Sequence, residues 1–298
     1  MNTDIKVVVY AADTQEAGAV LDSVEALFAS SESTLSRFRA DSELSAPNRS
    51  TGRPIAVSSV LFEVVREARD WAELSGGIFD PTILWALEAA GYDRSFELLE
   101  DRAAPATAPS WGADSWRDVQ LNAESSTITL PPGCRLDLGG IGKGWTVDRA
   151  AELLSDYATY GIDAGGDIYL AGRLPSGEPW TVGVADPRSP DRNLATLTLE
   201  DQGVATSTTL RRRWRRGPVV AHYIIDPRTN QPARTDVVSA TVVAGSVARA
   251  EVLAKTALIL GSRQGLELLQ GQEDASGLLV LGSGELLETS DLWEVLCA

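Results

Sequence analysis

Residues 137–144 read DLGGIGKG and run directly into WTVDRAAELL at 145–154. From Trp145 onward Val147, Ala150, Ala151, Leu154 and Tyr157 follow the helical period, so the glycines open a helix. Such a junction suits an anion: glycines allow close backbone approach, the first helical amides are unpaired, and Lys143 adds a point charge. Both standard phosphate signatures nevertheless fail. A Walker loop needs Gly at 137 and Ser or Thr at 144, where this chain has Asp137 and Gly144; a GxGxxG counted from Gly140 would end on Trp145. The loop is therefore a different device, and a tight strand-to-helix turn that uses glycine only for backbone freedom stays open.

Outward from that junction the chain alternates blocks of strands with blocks of helices. Residues 4–10 (DIKVVVY) read as a strand, and Val20, Leu21, Val24, Leu27 and Phe28 mark a helix over about 14–30. A second amphipathic helix covers about 57–75 and stops at Gly76 and Gly77. VQLN and TITL form a hairpin before the glycine motif, and residues 102–113 (RAAPATAPSWGA) read as a surface excursion. DIYLAG, WTVGV, ATLTL, YIID and SATVVAG are strands, followed by an apolar helix at 247–260, a hairpin in LLVLGSGELLE and a short closing helix. Strands beside strands give an α+β class, with mixed, largely antiparallel sheets packed with helices rather than a doubly wound sheet. The 298 residues are expected to form one domain, in one lobe or two.

A formal charge of −16 works against a general nucleic-acid or anionic-membrane partner, since the average surface would repel both. Cys134 and Cys297 make no metal-ligand spacing and are expected to be free thiols. No segment reads as a signal peptide, lipid-anchor site or membrane span, so the chain as given is expected to be cytoplasmic; an exported form with its signal removed would look the same. Only Lys6, Lys143 and Lys255 are lysines, beside 23 arginines, and His222 is the lone histidine. A lysine in so arginine-rich a chain marks a place where a guanidinium does not fit.

Two further segments concentrate reactive groups. Gly203 to Ala233 holds hydroxyls, His222 and the run RRRWRR at 211–216, which reads as a solvated strand edge or, less simply, as a nucleic-acid patch. His222 is a general base or a satisfied polar residue, and Asp226 with Arg228 offers a carboxylate and a guanidinium. Glu251 and Lys255 lie four apart on a helix. An exposed i,i+4 ion pair is the simple reading of that spacing, but their surroundings from Val247 to Leu260 are mostly apolar, which suggests a buried helix whose charged pair calls for a function.

Taken in order, LSRFRADSELS, GGIFDPT, LDLGGIGKGWTVDRAAELL, IDAGGDIYLAG, GVATS, HYIIDPRT and AEVLAKTALILG resemble the ApbE family of FAD:protein FMN transferases. The resemblance implies an ApbE-like fold and an enzyme that moves FMN from FAD, with Mg²⁺, to a Thr or Ser hydroxyl of an acceptor protein, releasing AMP. It places Met1 and Phe38 beside the flavin or adenine, and Asp80 and Thr82 in the cofactor pocket. Asp137, Gly139 and Lys143 would contact FAD, and Gly140 would offer a carbonyl to the metal. Gly165, Gly166 and Asp167 would form a second close-approach turn. Thr206, Ser207, Asp226, Arg228 and Thr229 would surround the reacting centre, with Asp226 among the catalytic residues.

The chain departs from the family at two of these places. The family's histidine stands immediately before I-I-D-P, where this chain has Tyr223 with His222 one place earlier; in an extended strand that step reverses the face, so either His222 reaches the site through a bulge, or Tyr223 takes its catalytic place, or the base is missing. The family's Asp and Thr metal ligands become Glu251, still a metal ligand by the resemblance, and Lys255, whose ammonium would replace part of the metal's charge against the FAD pyrophosphate. A protein that binds FAD as carrier or sensor without transfer, and an FAD pyrophosphatase giving FMN and AMP, are the alternative expectations. The acceptor protein is the expected partner, with no nucleic acid and no membrane anchor in this chain.

Overall fold

The computed structural model describes residues 3–99, 115–217, 219–292 and 295–296. Met1, Cys297 and the 102–113 excursion lie outside these residues, as does much of the stretch expected as a closing helix. In chain order the elements are β1 (Ile5–Val9), α1 (Thr14–Leu35), α2 (Ser45–Arg49), β2 (Pro54–Ala56), α3 (Ser59–Leu74), α4 (Leu84–Ala89), β3 (Gln120–Asn122), β4 (Thr127–Thr129) and α5 (Gly142–Leu153). There follow β5 (Tyr160–Ala164), β6 (Ile168–Ala171), β7 (Trp180–Asp186), β8 (Ser189–Leu199), β9 (Gln202–Thr208), β10 (Arg213–Arg216), β11 (Val219–His222), β12 (Ile225–Asp226) and β13 (Gln231–Pro232). Strand β14 (Val237–Ala244), α6 (Val247–Gln270), β15 (Ala275–Leu281) and β16 (Leu286–Glu288) close the chain. The strands of every described ladder run antiparallel, as expected of an α+β chain.

Contacts gather the chain into two compact units. The first comprises Ser30–Gly142 and Arg211–Arg234. Its helix α3 starts where Ser58 accepts the Leu61 amide at 3.2 Å, and Leu61, Val64, Val65, Ala68 and Ala72 recur on the buried face. The ladder β2-β4-β3 contains the expected hairpin. A cluster built from Trp85, Ala86, Leu87, Tyr92, Trp214, Ala221 and Ile225 joins α4 to the hairpin β10–β11. Buried Cys134 is a free thiol, and burial pushes its pKa up to about 12.

The second unit comprises residues 3–29, 143–210 and 235–298, and carries the sheet β1-β5-β6-β9-β14-β15-β16. VVSATVVA in β14 is rich in β-branched residues and lies between β9 and β15, where such side chains pack on a pleated surface. Helix α6 packs across β9, β14 and β15. The opposite face puts Val204, Val243 and Leu278 against Val184, Leu197 and Leu199 of the hairpin β7–β8. Helix α6 runs ten residues past the expected end and kinks at Gly261, whose φ of +83° suits only glycine. Asp236 takes up the kink, accepting from the Ser262 amide at 2.9 Å.

Candidate functional site

The first unit brings LSRFR, GGIFDPT and LDLGG together. The Asp137 amide donates to Pro81 O at 2.8 Å, and Asn48 clamps Leu136 both ways, accepting from its amide at 2.7 Å and donating to its carbonyl at 2.9 Å. Buried Asp80 folds back on Thr82, taking its amide at 2.7 Å and its hydroxyl at 2.6 Å through one oxygen. Asp137 Oδ1 accepts the Gly139 amide at 3.0 Å, which draws the start of the glycine motif into a turn. Its Oδ2 pairs with the Arg37 guanidinium. Arg37 itself lies over the rings of Phe38 and Tyr92, 4.0 and 4.6 Å from their centroids. Gly139 is exposed and Gly140 buried.

Arg37 was not among the expected site residues, although it lies inside LSRFRADSELS. The available signal was an arginine beside an aromatic residue, which sequence alone cannot distinguish from a surface pair.

The His222 segment belongs to the same unit. Strand β11 ends at His222 and β12 begins at Ile225, so the extended geometry that would have turned the ring to the opposite face does not continue through Tyr223. His222 is buried and its Nε2 lies 3.2 Å from Ala233 O. A carbonyl can only accept, so Nε2 carries the proton and Nδ1 keeps its lone pair; Nδ1 has no hydrogen-bond partner among the described residues. Burial pushes the His222 pKa below the usual 6.5, the Ala233 contact opposes that shift, and Arg213 adds to it. Tyr223 is half-buried, its ring 6.5 Å from that of Tyr92. Asp226 is held by Arg228, with Nε at 2.9 Å and Nη2 at 2.8 Å, while Thr229 is exposed at the following turn.

In the second unit, Lys143 stands between two carboxylates. Its ammonium pairs with Asp167 and lies 3.7 Å from Glu251 Oε1, while Glu251 Oε2 accepts the Gly144 amide at 3.0 Å. Asp167 and Glu251 are both buried. The GKG turn and the late helix are thus tied directly, and the Gly144 position explains the glycine. A Cβ there would stand 2.7 Å from the Ala248 backbone. Asp148, overlooked in the sequence, accepts from the Val247 amide at 2.7 Å and the Ala248 amide at 2.9 Å, capping α6. Lys255 is half-buried one helical turn beyond Glu251.

The turn between β5 and β6 presents Gly165 and Gly166 in left-handed conformations, φ +69° and +96°, both exposed. Nothing lies within 4 Å of a Cβ built on Gly166. On β9, Thr206 and Ser207 point to opposite faces. Thr206 is exposed and bonded to the Thr241 hydroxyl at 2.8 Å, whereas Ser207 is buried on the face that carries Gly203 against the start of α6. The structure therefore separates two hydroxyls that the sequence reading grouped.

The model for the ApbE family matches residues 1–279. The chain belongs to the ApbE family. Among curated relatives, "FAD:protein FMN transferase" of Treponema pallidum is 33% identical over 279 residues, covering 86% of this chain and 75% of its own. The Vibrio cholerae protein of the same name is 30% identical over 256 residues, covering 80% and 72%. Among solved structures, the ApbE protein of Thermotoga maritima superposes with TM-score 0.87 at 25% identity, covering 99% of this chain and 96% of that one. The flavin transferase ApbE of Vibrio cholerae gives 0.82 at 25% identity, with the same coverage. The ApbE fold expected from the motifs is the fold observed. No described helix is long and apolar enough to cross a membrane.

Proposed function

We propose that this ApbE-family chain transfers FMN from FAD to a Thr or Ser hydroxyl of an acceptor protein and releases AMP. The observation that carries the reading is the family match over residues 1–279, with relatives named FAD:protein FMN transferase, one of them 33% identical. In the reaction the acceptor oxygen bonds to the FMN phosphorus. The bond from that phosphorus to the bridging oxygen breaks, AMP leaves with the electron pair, and the hydroxyl proton passes to a base. Such a transfer asks the protein mainly for positioning and charge neutralisation.

His222 supports the reading as proton acceptor, because burial lowers its pKa and so favours the neutral ring, and its proton lies on Nε2, leaving the Nδ1 lone pair as the acceptor. Tyr223 and Asp226 follow it in sequence; Asp226 is committed to Arg228 and acts by holding that loop. Lys143 supplies a cation for the phosphates from the GKG turn, with Asp167 and Glu251 fixing its ammonium. The left-handed turn is open at Gly166, which admits close approach of a ligand, while Gly165 packs against Thr3. Phe38, 41% exposed, offers a ring face for a flavin or adenine. Asp80, Thr82, Asp137 and Gly139 shape the turn beside it, with Thr206, Arg228 and Thr229 as exposed polar contacts.

Mg²⁺ is held by one or two carboxylates with water and substrate phosphates rather than by an all-protein cage, so Glu251 and the Gly140 carbonyl would hold it and it would neutralise phosphate charge; the Glu251 carboxylate also faces Lys143 and the Gly144 amide. The transfer is derived without a step through the metal.

The test is incubation of protein, FAD and a Thr-containing acceptor peptide, with Mg²⁺ or with EDTA, followed by covalent flavin fluorescence and AMP analysis. Flavin on the peptide with stoichiometric AMP is the expected result. AMP with free FMN would replace transfer by hydrolysis, and bound FAD without AMP would leave a flavin-binding protein.

A further inference from the structure

Five of the six residues from Arg211 to Arg216 are arginines, in a chain whose formal charge is −16. The first unit folds this run into the antiparallel ribbon β10–β11, where Arg213 stands opposite His222, Trp214 opposite Ala221, Arg215 opposite Val220 and Arg216 opposite Val219. Strand alternation then sorts the side chains onto two faces. Trp214 and Arg216 are on the anchored face. The buried Trp214 ring stacks on Tyr92 with centroids 5.3 Å apart and donates its Nε1–H to Ala90 O at 2.8 Å, while Arg216 Nη2 donates to Ala89 O at 3.0 Å. Arg213 and Arg215 are on the other face, exposed together with Arg211 at the base of the ribbon. Val220, opposite Arg215 and 42% exposed, adds apolar surface to that face from the returning strand.

We propose that the outer face of this ribbon docks an acidic segment of the acceptor protein and delivers its hydroxyl to His222. The proposal rests on the transfer reading above. Charge complementarity selects the partner, because an acidic segment is repelled by the average surface of this chain and steered to its cationic cluster. Guanidinium forks pair with carboxylates bidentately, and arginine beside apolar side chains is the composition of a protein interface. The strip ends where Arg213 pairs with His222, so a segment lying along it comes to the strand position that carries the buried proton acceptor. Single-stranded nucleic acid would call for an outward aromatic on which bases stack, and Trp214 is turned inward.

The test uses the double variant Arg211→Glu/Arg215→Glu; Arg213 is left intact because it faces His222. A fluorescein-labelled Thr peptide flanked by Asp and Glu is titrated by anisotropy, with an Asn and Gln counterpart and an oligothymidylate in parallel. Wild type should bind the acidic peptide about tenfold more tightly than the neutral one at low salt, and the variant should lose that preference. The FAD dissociation constant, read from flavin fluorescence, should not change. In the transfer assay the acidic peptide's KM should rise about tenfold in the variant, with kcat held within about twofold.

Equal binding of the two peptides by wild type would overturn the proposal. So would a weakened FAD affinity in the variant, which would assign the strip to the nucleotide, or tighter binding of oligothymidylate than of the acidic peptide. Because the anisotropy arm needs no turnover, bound peptide that is never flavinylated would strike the transfer reading rather than the docking surface.

Discussion

Arg37 and Asp137 form a buried ion pair inside the first unit, their side chains 6% and 12% exposed, with the guanidinium stacked on Phe38 and the carboxylate holding the Gly139 amide. Removing one partner leaves a charge without its counterion away from water. Arg37→Met should cost about 3 kcal/mol in urea unfolding. Adding Asp137→Asn should return part of that loss. Additive costs in the double variant would remove the pair as a unit.

Gly144 packs against the first turn of α6 with no room for a side chain. Gly144→Ala should destabilise by about 1–3 kcal/mol, because backbone on both sides must shift. Gly18, within α1 and with open space where a Cβ would stand, is the control. Gly18→Ala should stabilise by about 0.5–1 kcal/mol. Equal effects of opposite sign to these would contradict the packing described.

Lys143 lies between Asp167 and Glu251. If its ammonium faces the FAD phosphates, FAD should bind in EDTA and Lys143→Ala should lose about tenfold or more in affinity by flavin fluorescence. Lys255→Ala should weaken FAD in the same direction if Lys255 adds to that charge. Unchanged affinity in both variants would withdraw the lysines from phosphate binding.

His222 is held below its usual pKa of 6.5 by burial. The unfolded chain therefore binds the His222 proton more readily than the folded one, so its contribution to stability is full above 6.5 and lost as pH falls below it. His222→Asn should flatten the fall in unfolding free energy between about pH 7 and 5, where unperturbed histidines titrate. The same variant should reduce transfer about 100-fold if His222 is the base. A wild-type rate with an unchanged pH profile would shift the role to Tyr223 or to water.

The motifs read from the sequence lie where they were expected along the chain: the first strand, α1, α3, the hairpin β3–β4 and β6, β7, β14 and the hairpin β15–β16 follow from period and turn residues, whereas YIID, expected as one strand, is interrupted at Tyr223 and Ile224 between β11 and β12. Helix α5 opens at Gly142, so the glycine-lysine turn lies inside the first turn rather than before it. Helix α6 continues beyond Leu260 because Gly261 kinks it without ending it. A glycine in sequence signals a stop or a bend equally well, and the Asp236 contact decides between them.

By itself the sequence determined the α+β class, the order of the family's motifs and the isolated lysines and histidine, because hydrophobic period, turn chemistry and residue choice are local properties. Only the tertiary structure decided what those residues face. The spacing of Glu251 and Lys255 suggested a pair on one helix, and folding adds the Gly144 amide and the Lys143 ammonium to Glu251 across 107 residues of chain. It joined Arg37 to Asp137, stopped β11 at His222 before alternation could turn Tyr223, and buried Trp214 while leaving its neighbouring arginines outside. Each outcome depends on which distant segments pack together, and a period of two or of 3.6 residues carries no record of that.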